Sequence, residues 1–340
     1  MKLNPDAPGQ EYKKLQDFLS RQVIGQAAAV SEVLDSLAPA LVGLQDTTKP
    51  AGIFLFLGPT GAGKTHLVEK LSEALHGNLK MMIKINGGEF AADHEVAKLL
   101  GAPPGYLGHR ETKPMITQDK INAVASNSCA LSIILLDEIE KASPALQKVL
   151  LNIFDRAELV LGDNTKVNLS RCLFFLTSNL GAKDLNRLIN GGAGFSGPTV
   201  ALSAAHAGAV TTSKKYFSPE FFNRLDKVIT FRHLDREDLS KILTLELAKV
   251  ELRAEGRFYL KLTPEAHAWL AAEGYQPEYG ARHLRRAVAQ RITLPIAKCL
   301  GAGQFTKHAE IKVSLRKDQN GLEFRVPAEF AGVSGKGSNG

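Results

Sequence analysis

Several long runs of the chain are apolar without alternation, and each gives way to a stretch with helical spacing. "GIFLFLG" (52–58), "MMIKIN" (81–86), "LSIILLD" (131–137) and "RCLFFLTSN" (171–179) are the apolar runs. Helical spacing fills 11–20, 26–44, Lys64 to about Leu75, Gln118 to Ser126, and the segment opened by Ser143 and Pro144. Serine there is a good N-cap and proline a good first helical residue. Strands that are hydrophobic throughout and separated by helices predict an α/β fold, a parallel sheet covered on both faces. From Phe231 the spacing turns mainly helical, in "LDREDLSKILTLELAKVEL", "TPEAHAWLAAEG" and "GARHLRRAVAQRITLPIAKCL", with "FYLKL", "HAEIKVSL" and "LEFRV" as strand candidates. The expected organisation is a large domain over 1–230 and a smaller, mostly helical domain with short strands over 231–327. Residues 190–213, rich in Gly, Ala, Ser and Thr, are expected to form a mobile insertion, and 328–340 a disordered tail.

Composition narrows the class. The chain has 340 residues, 44% hydrophobic and 23% charged, the profile of a soluble globular protein. The longest apolar run, "ALSIILL" (130–136), is far short of a membrane span, and "MKLNPDAPGQEYKK" lacks the apolar segment of a signal peptide. A cytoplasmic protein with no membrane partner is the expectation. Cys129, Cys172 and Cys299 are widely spaced with no CxxC, which argues against a zinc site or a disulfide frame. Cys129 and Cys172 sit in apolar stretches and are expected in the core. Lys and Arg number 42 against 35 Asp and Glu, a net charge of +7 that permits contact with nucleic acid without requiring it. The densest basic cluster, "ARHLRRAVAQR" (281–291), has amphipathic spacing and reads as a solvated helix face.

The strongest chemical signal is "GPTGAGKT", Gly58 to Thr65, a full match to G-x-x-x-x-G-K-[ST] between a buried strand and a helix. In such a phosphate loop the backbone of Gly58, Pro59, Thr60, Gly61, Ala62 and Gly63 cradles phosphates, Lys64 reaches the β and γ groups, and Thr65 ligates Mg²⁺. The strand "LSIILLDEIEK" ends in Asp137, suited to hold the metal's water shell, and Glu138, suited to polarise a water for attack on the γ-phosphate. "LFFLTSN" puts Asn179 at the tip of another buried strand, which could lie beside the one bearing Asp137. "SPEFFNRLD" carries Arg224 on a short helix capped by Ser218 and Pro219; its "NRLD" lacks the lysine of the guanine-reading N-K-x-D, so GTP is rejected. "GAPPGYLGHRE" (101–111) is a stiff Gly/Pro turn that holds up Tyr106 and Leu107, an unusual pair for a surface turn.

In order and spacing, "VIGQ" at Val23, "GPTGAGKT", "GAPPGYLG", "LLDEIEK", "LTSN", "FFNRLD" and "GYQPEYGARHLRR" resemble the AAA+ ATPases of the Clp type, most closely the second ATPase module of ClpA, ClpB and ClpC, over residues of about 11 to 327. The resemblance implies a P-loop AAA+ large domain, ATP and Mg²⁺ as cofactors, and a hexameric ring of identical copies acting on polypeptides. It implies an adenine pocket lined from Val23 and Ile24 to Gln26, nucleotide contacts through His66, and Asp137 acting on the metal through water. It implies Glu138 as catalytic base, Asn179 as first sensor, Arg282 as second sensor, and Arg224 as the arginine finger that completes an adjacent subunit's site. Tyr106 and Leu107 match the loop that lines the axial channel and grips an extended chain. An aromatic on a stiff turn offers contact area at low conformational cost, whatever the sequence threaded.

Some stretches depart from the family. "HRETKPMITQDK" replaces the usual acidic, glycine-rich run after Gly108, and "ELVLGDNTKVNLSR" is an atypical hairpin around Gly162 to Thr165. No substrate-binding N-domain, first ring or middle domain is read in the chain, so a single stand-alone module is expected. The function expected is ATP-driven unfolding of polypeptides threaded through a ring, with targets chosen through an adaptor. Two alternatives stay open: docking to a separate protease through "AGF" ending at Phe195, and a basic motor or loader acting on nucleic acid.

Overall fold

The computed structural model describes residues 9–101, 113–181, 198–276 and 279–332, the side chains of 198–206 excepted. The chain divides into two compact units, Met1–Pro59 with Gly63–Arg232, and Thr60–Ala62 with His233–Gly340.

The first unit opens with helices α1 (Gln10–Gln22) and α2 (Ala27–Leu41), strand β1 (Gly52–Leu57) and helix α3 (Lys64–His76). It continues through β2 (Met82–Asn86), α4 (Ala97–Leu100), α5 (Gln118–Ala123), β3 (Ser132–Asp137) and α6 (Pro144–Arg156). A hairpin of β4 (Glu158–Val160) and β5 (Lys166–Asn168) leads to β6 (Cys172–Ser178), α7 (Pro198–Tyr216), α8 (Pro219–Phe222) and β7 (Lys227–Thr230). The five-stranded sheet runs β2-β3-β6-β1-β7, every pairing parallel. Every residue of β1 and β6 is buried, which explains why these strands read as unbroken apolar runs. On one face Ile53, Leu55, Ile134, Leu136, Phe174 and Leu176 join the core under α6. Elsewhere Phe54 stacks on Phe175, and Phe56 lies against Phe175 and Phe231. Ser143 caps α6, its Oγ accepting from Leu146 N at 3.5 Å, and Pro144 is the first helical residue.

The second unit contains α9 (Arg236–Ala254), β8 (Phe258–Leu262), α10 (Pro264–Glu273), α11 (Ala281–Val288), α12 (Leu294–Gly301), β9 (Ala309–Leu315) and β10 (Leu322–Arg325). Residues Ala289–Thr293 join α11 to α12 as a π-helical stretch. The sheet order is β10-β9-β8, with β8 parallel and β10 antiparallel to β9. Leu239, Leu243, Leu270, Leu284, Ile292, Ile311 and Val313 form its core. The cluster read as a solvated basic face is partly engaged: Arg285 pairs with Glu246 and Arg291 with Glu273, and the Arg291 guanidinium lies over Trp269.

Three expectations change here. Residues 198–213, expected in a mobile insertion, belong to α7, whose Ala209, Ser213 and Phe217, the last just past its end, recur every four residues as a buried stripe. Alanine is the best helix former, and small residues let this helix approach closely; the Cβ of an alanine at Gly181 would come 2.5 Å from Ala209 Cα. Residues 328–332, expected in the disordered tail, fold onto the second unit: Phe305 bridges Ala331, and Gly332 N donates to Gln304 O at 2.9 Å. Cys129 is only partly buried, whereas Cys172 is in the core and burial pushes its thiol up to about 12. Among the described residues no helix is long and apolar enough to cross a membrane.

Candidate nucleotide site

The phosphate loop leaves β1 at Gly58 and enters α3 at Gly63, and backbone geometry demands glycine at both points. Gly58 has φ 148° and the Cβ of any other residue would meet Phe231 O at 2.6 Å; Gly63, with φ 104°, caps α3 in the left-handed region. The turn brings Lys64 back over the loop. Its side chain is only 8% exposed, and Nζ donates to Gly58 O at 2.6 Å, Pro59 O at 2.9 Å and Asn179 Oδ1 at 2.9 Å. Three oxygens match the three donors of an ammonium, which is how a cation is kept in so buried a place.

Strand β3 lies two places from β1, with β6 between them. That order sets Asp137 across from the start of α3: Thr65 Oγ1 donates to Asp137 Oδ1 at 3.2 Å. The β3–β6 register pairs Leu136 with Leu176, so Thr177 falls level with Asp137. Thr177 Oγ1 donates to Asp137 Oδ1 and accepts from Glu138 N at 3.1 Å, fixing both acids by one hydroxyl. From the other side β2 pairs Asn86 with Asp137, and Lys84 Nζ lies 3.4 Å from Asp137 Oδ2. Glu138 is left-handed, φ 57° and ψ 47°, the point where the chain breaks from strand into turn. Its Oε2 lies 2.6 Å from Lys141 Nζ, and the hydrogen bond and charge of Glu138 raise Lys141 above the ordinary lysine value. Gly87 backs this turn; a Cβ there would meet Glu138 O at 2.4 Å.

Asn179, one residue beyond β6, joins Lys64 to the turn, as its backbone N and Nδ2 both donate to Glu140 Oε1, at 3.1 and 3.3 Å. Val23 is buried and Ile24 half-buried between α1 and α2, and His66 Nε2 lies 3.3 Å from Gln22 O. Gln26 meets Arg232 with both ends of its amide: Nε2 donates to Arg232 O at 2.9 Å and Oε1 accepts from Arg232 N at 3.2 Å. Arg224 is two residues past α8, not on it, and pairs with Asp155 at the end of α6. Arg282 is an exposed residue in the first turn of α11. Tyr106, Leu107 and Phe195 lie outside the described residues.

Lys64, Thr65, Asp137, Glu138 and Asn179, named from the sequence, thus converge at one end of the sheet, while Arg224 is engaged elsewhere with Asp155. Thr177, Lys84, Lys141 and Glu140 were missed. The signal for Thr177 was present, a hydroxyl after the apolar run Cys172 to Leu176 of the same strand, but only the register gives it a partner. Among the described residues no three His, Cys, Asp or Glu side chains cluster as a metal cage. The hydroxyl of Thr65 and the carboxylate of Asp137 are hard oxygen donors at adjacent positions, a set that suits Mg²⁺, which is commonly held by one or two carboxylates, waters and substrate phosphates.

A phosphate loop facing a strand-end acid pair across one intervening strand, in a sheet of this order, defines a P-loop nucleotide-binding protein of the AAA+ kind. Residues 49–228 match the AAA domain (Cdc48 subfamily), and residues 234–313 match the C-terminal, D2-small domain, of ClpB protein. The chain belongs to the Clp family of AAA+ proteins. It is 38% identical over 314 residues to the chaperone protein ClpB of Staphylococcus aureus (strain COL), covering 92% of this chain and 34% of that one. Against ClpB of Propionibacterium freudenreichii subsp. shermanii the identity is 34% over 322 residues, 94% of this chain and 35% of the relative. The chain therefore spans about a third of the length of these relatives. Among solved structures, a closed-state cryo-electron-microscopy reconstruction of Hsp104 with ATPγS and FITC casein superposes with a TM-score of 0.77 at 28% identity, over 93% of this chain and 52% of that one.

Proposed function

We propose that the chain binds ATP with Mg²⁺, hydrolyses it, and, as a ring of identical copies, uses the turnover to unfold or remodel polypeptides. The observation that carries this reading is the meeting of Lys64, Thr65, Asp137 and Asn179 within hydrogen-bond reach at the mouth of the phosphate loop. The loop's backbone N–H groups and the start of α3 bind the phosphates, with Val23, Ile24 and His66 flanking the base. Lys64, held on carbonyl and amide oxygens, swings to the β and γ phosphates, which outcompete those neutral acceptors by charge. Thr65 and, through water, Asp137 would hold Mg²⁺, which would offset charge on the phosphate oxygens. Glu138 leaves Lys141 to take a proton from the attacking water, and Asn179 orients the γ-phosphate. Arg224 serves the site of the adjacent copy and Arg282 is the second sensor. Tyr106 and Leu107 grip the substrate in the channel.

The names of the relatives support the substrate class: ClpB is called a chaperone protein, and the Hsp104 reconstruction contains casein, a polypeptide. Nucleotide binding and turnover, measured on the same preparations, test the chemistry. Glu138→Gln should bind ATP like the parent and lose turnover by about a hundredfold or more, the scale of a general base. Lys64→Ala should lose binding itself. Near-parental hydrolysis by Glu138→Gln would overturn the assignment.

A further inference from the structure

The turn after Glu138 carries a further acid, Glu140, for which the motifs supply no role. Its Oε1 accepts two hydrogen bonds from a single residue, from Asn179 N at 3.1 Å and Asn179 Nδ2 at 3.3 Å. Asn179 Oδ1 accepts from Lys64 Nζ at 2.9 Å. These neighbours fix the amide in one orientation, because an ammonium only donates and a carboxylate only accepts. An amide turned over would set oxygen against Glu140 and NH₂ against Lys64, two repulsive contacts. The other carboxylate oxygen, Oε2, is buried and has no hydrogen-bond partner among the described residues. A half-satisfied buried carboxylate costs stability, and such a group calls for a reason in function. The turn is itself pinned: Glu140 O accepts from the hydroxyl of Tyr216 at the end of α7.

We propose that Glu140 is a positioning residue for ATP hydrolysis, holding the side-chain amide of Asn179 in the orientation in which it meets the γ-phosphate. When Lys64 turns to the phosphates its contact with the amide oxygen is withdrawn, and the hydrogen bond from Nδ2 to Glu140 still holds the amide in that orientation. This rests on the ATPase reading above. It places the effect in the chemical step and not in nucleotide affinity, because Glu140 acts through Asn179 and not on the loop.

The test is a double-mutant cycle of Glu140→Ala and Asn179→Ala, with Glu140→Gln as the conservative variant, measuring ATP affinity with a fluorescent nucleotide and steady-state turnover. Glu140→Ala should lower kcat about tenfold, the effect of one charge-assisted hydrogen bond, with affinity within about twofold of the parent. Glu140→Gln, which keeps the acceptor oxygen and loses the charge, should recover part of that loss. In the Asn179→Ala background neither change at Glu140 should lower kcat further, since the amide it orients is gone. Parental kcat in Glu140→Ala, or an equal further loss on top of Asn179→Ala, overturns the proposal. Should Glu140→Ala fail to fold, Glu140→Gln with and without Asn179→Ala decides by the same rule: a loss with Asn179 intact that is absent or smaller with Asn179→Ala supports it, and no loss with Asn179 intact, or an equal or larger loss with Asn179→Ala, overturns it. A parent without turnover overturns the ATPase reading itself, a result distinct from any of these.

Discussion

At the residue scale the site is a set of polar groups held by apolar surroundings, and His76 shows what that costs away from the site. It ends α3, with Nδ1 3.0 Å from Ser126 Oγ and Nε2 buried without a partner among the described residues. Burial lowers its pKa below the ordinary 6.5, because desolvation penalises the imidazolium. The folded state thus prefers the neutral ring. The stability this gives is fully present above the ordinary value and is lost as pH falls from there through the depressed folded value. His76→Phe keeps the ring volume and removes the titration. Melting curves between about pH 7.5 and about pH 5 should show the parent losing more stability than His76→Phe, and parallel losses would place the acid sensitivity elsewhere.

At the element scale, α7 is the piece least visible in the sequence. Its Gly, Ala, Ser and Thr content reads as a linker, yet it buries Ala209 and Ser213, and its last residue, Tyr216, holds the carbonyl of Glu140. Gly181, two residues after Asn179, meets it at Ala209 so closely that a Cβ on Gly181 would come 2.7 Å from Ala209 Cβ. Ala209→Leu should therefore overpack this contact and destabilise the first unit by about 1–3 kcal/mol, read as a lower denaturation midpoint with the denaturant slope unchanged. A midpoint equal to the parent's would mean that α7 can move off the sheet without loss. The short helix α8, which ends two residues before Arg224, was legible for a simpler reason: Ser218 accepts from Phe221 N at 3.2 Å and Pro219 starts the helix, both local rules. Strand β7, only four residues, escaped because "KVIT" is too short to show periodicity; pairing with β1 makes it a strand.

At the scale of the whole molecule, Arg224 separates a role within one copy from a role between copies. Its pairing with Asp155 is about two-fifths exposed on each side, so it contributes little to stability, within about 1 kcal/mol. Arg224→Ala should accordingly melt close to the parent. If Arg224 completes a neighbour's site, Arg224→Ala mixed with Glu138→Gln should hydrolyse ATP faster than the two proteins assayed apart, at interfaces that pair an intact Arg224 with an intact Glu138. Sizing in ATP should show a ring. A monomer with full turnover would remove the role between copies and leave the chemistry of Lys64 and Glu138 in place.

The sequence by itself determined the parallel sheet, the phosphate loop and the acid pair, because each rests on neighbours in the chain: unbroken apolar runs, a glycine pattern, a strand followed at once by Asp137 and Glu138. It also specified the start of α6, through Ser143 and Pro144. What only the tertiary structure decided are the partners that those residues meet. Strand order put β6 between β1 and β3, and register then set Thr177 beside Asp137 and Asn179 between Lys64 and Glu140, pairs that stand 40, 115 and 39 residues apart. The helical state of 198–216 was likewise settled by what it packs against, since small residues carry little amphipathic signal of their own. Local propensity and motif are properties of a few consecutive residues, whereas register and close approach are properties of the sheet, and no single stretch of sequence contains them.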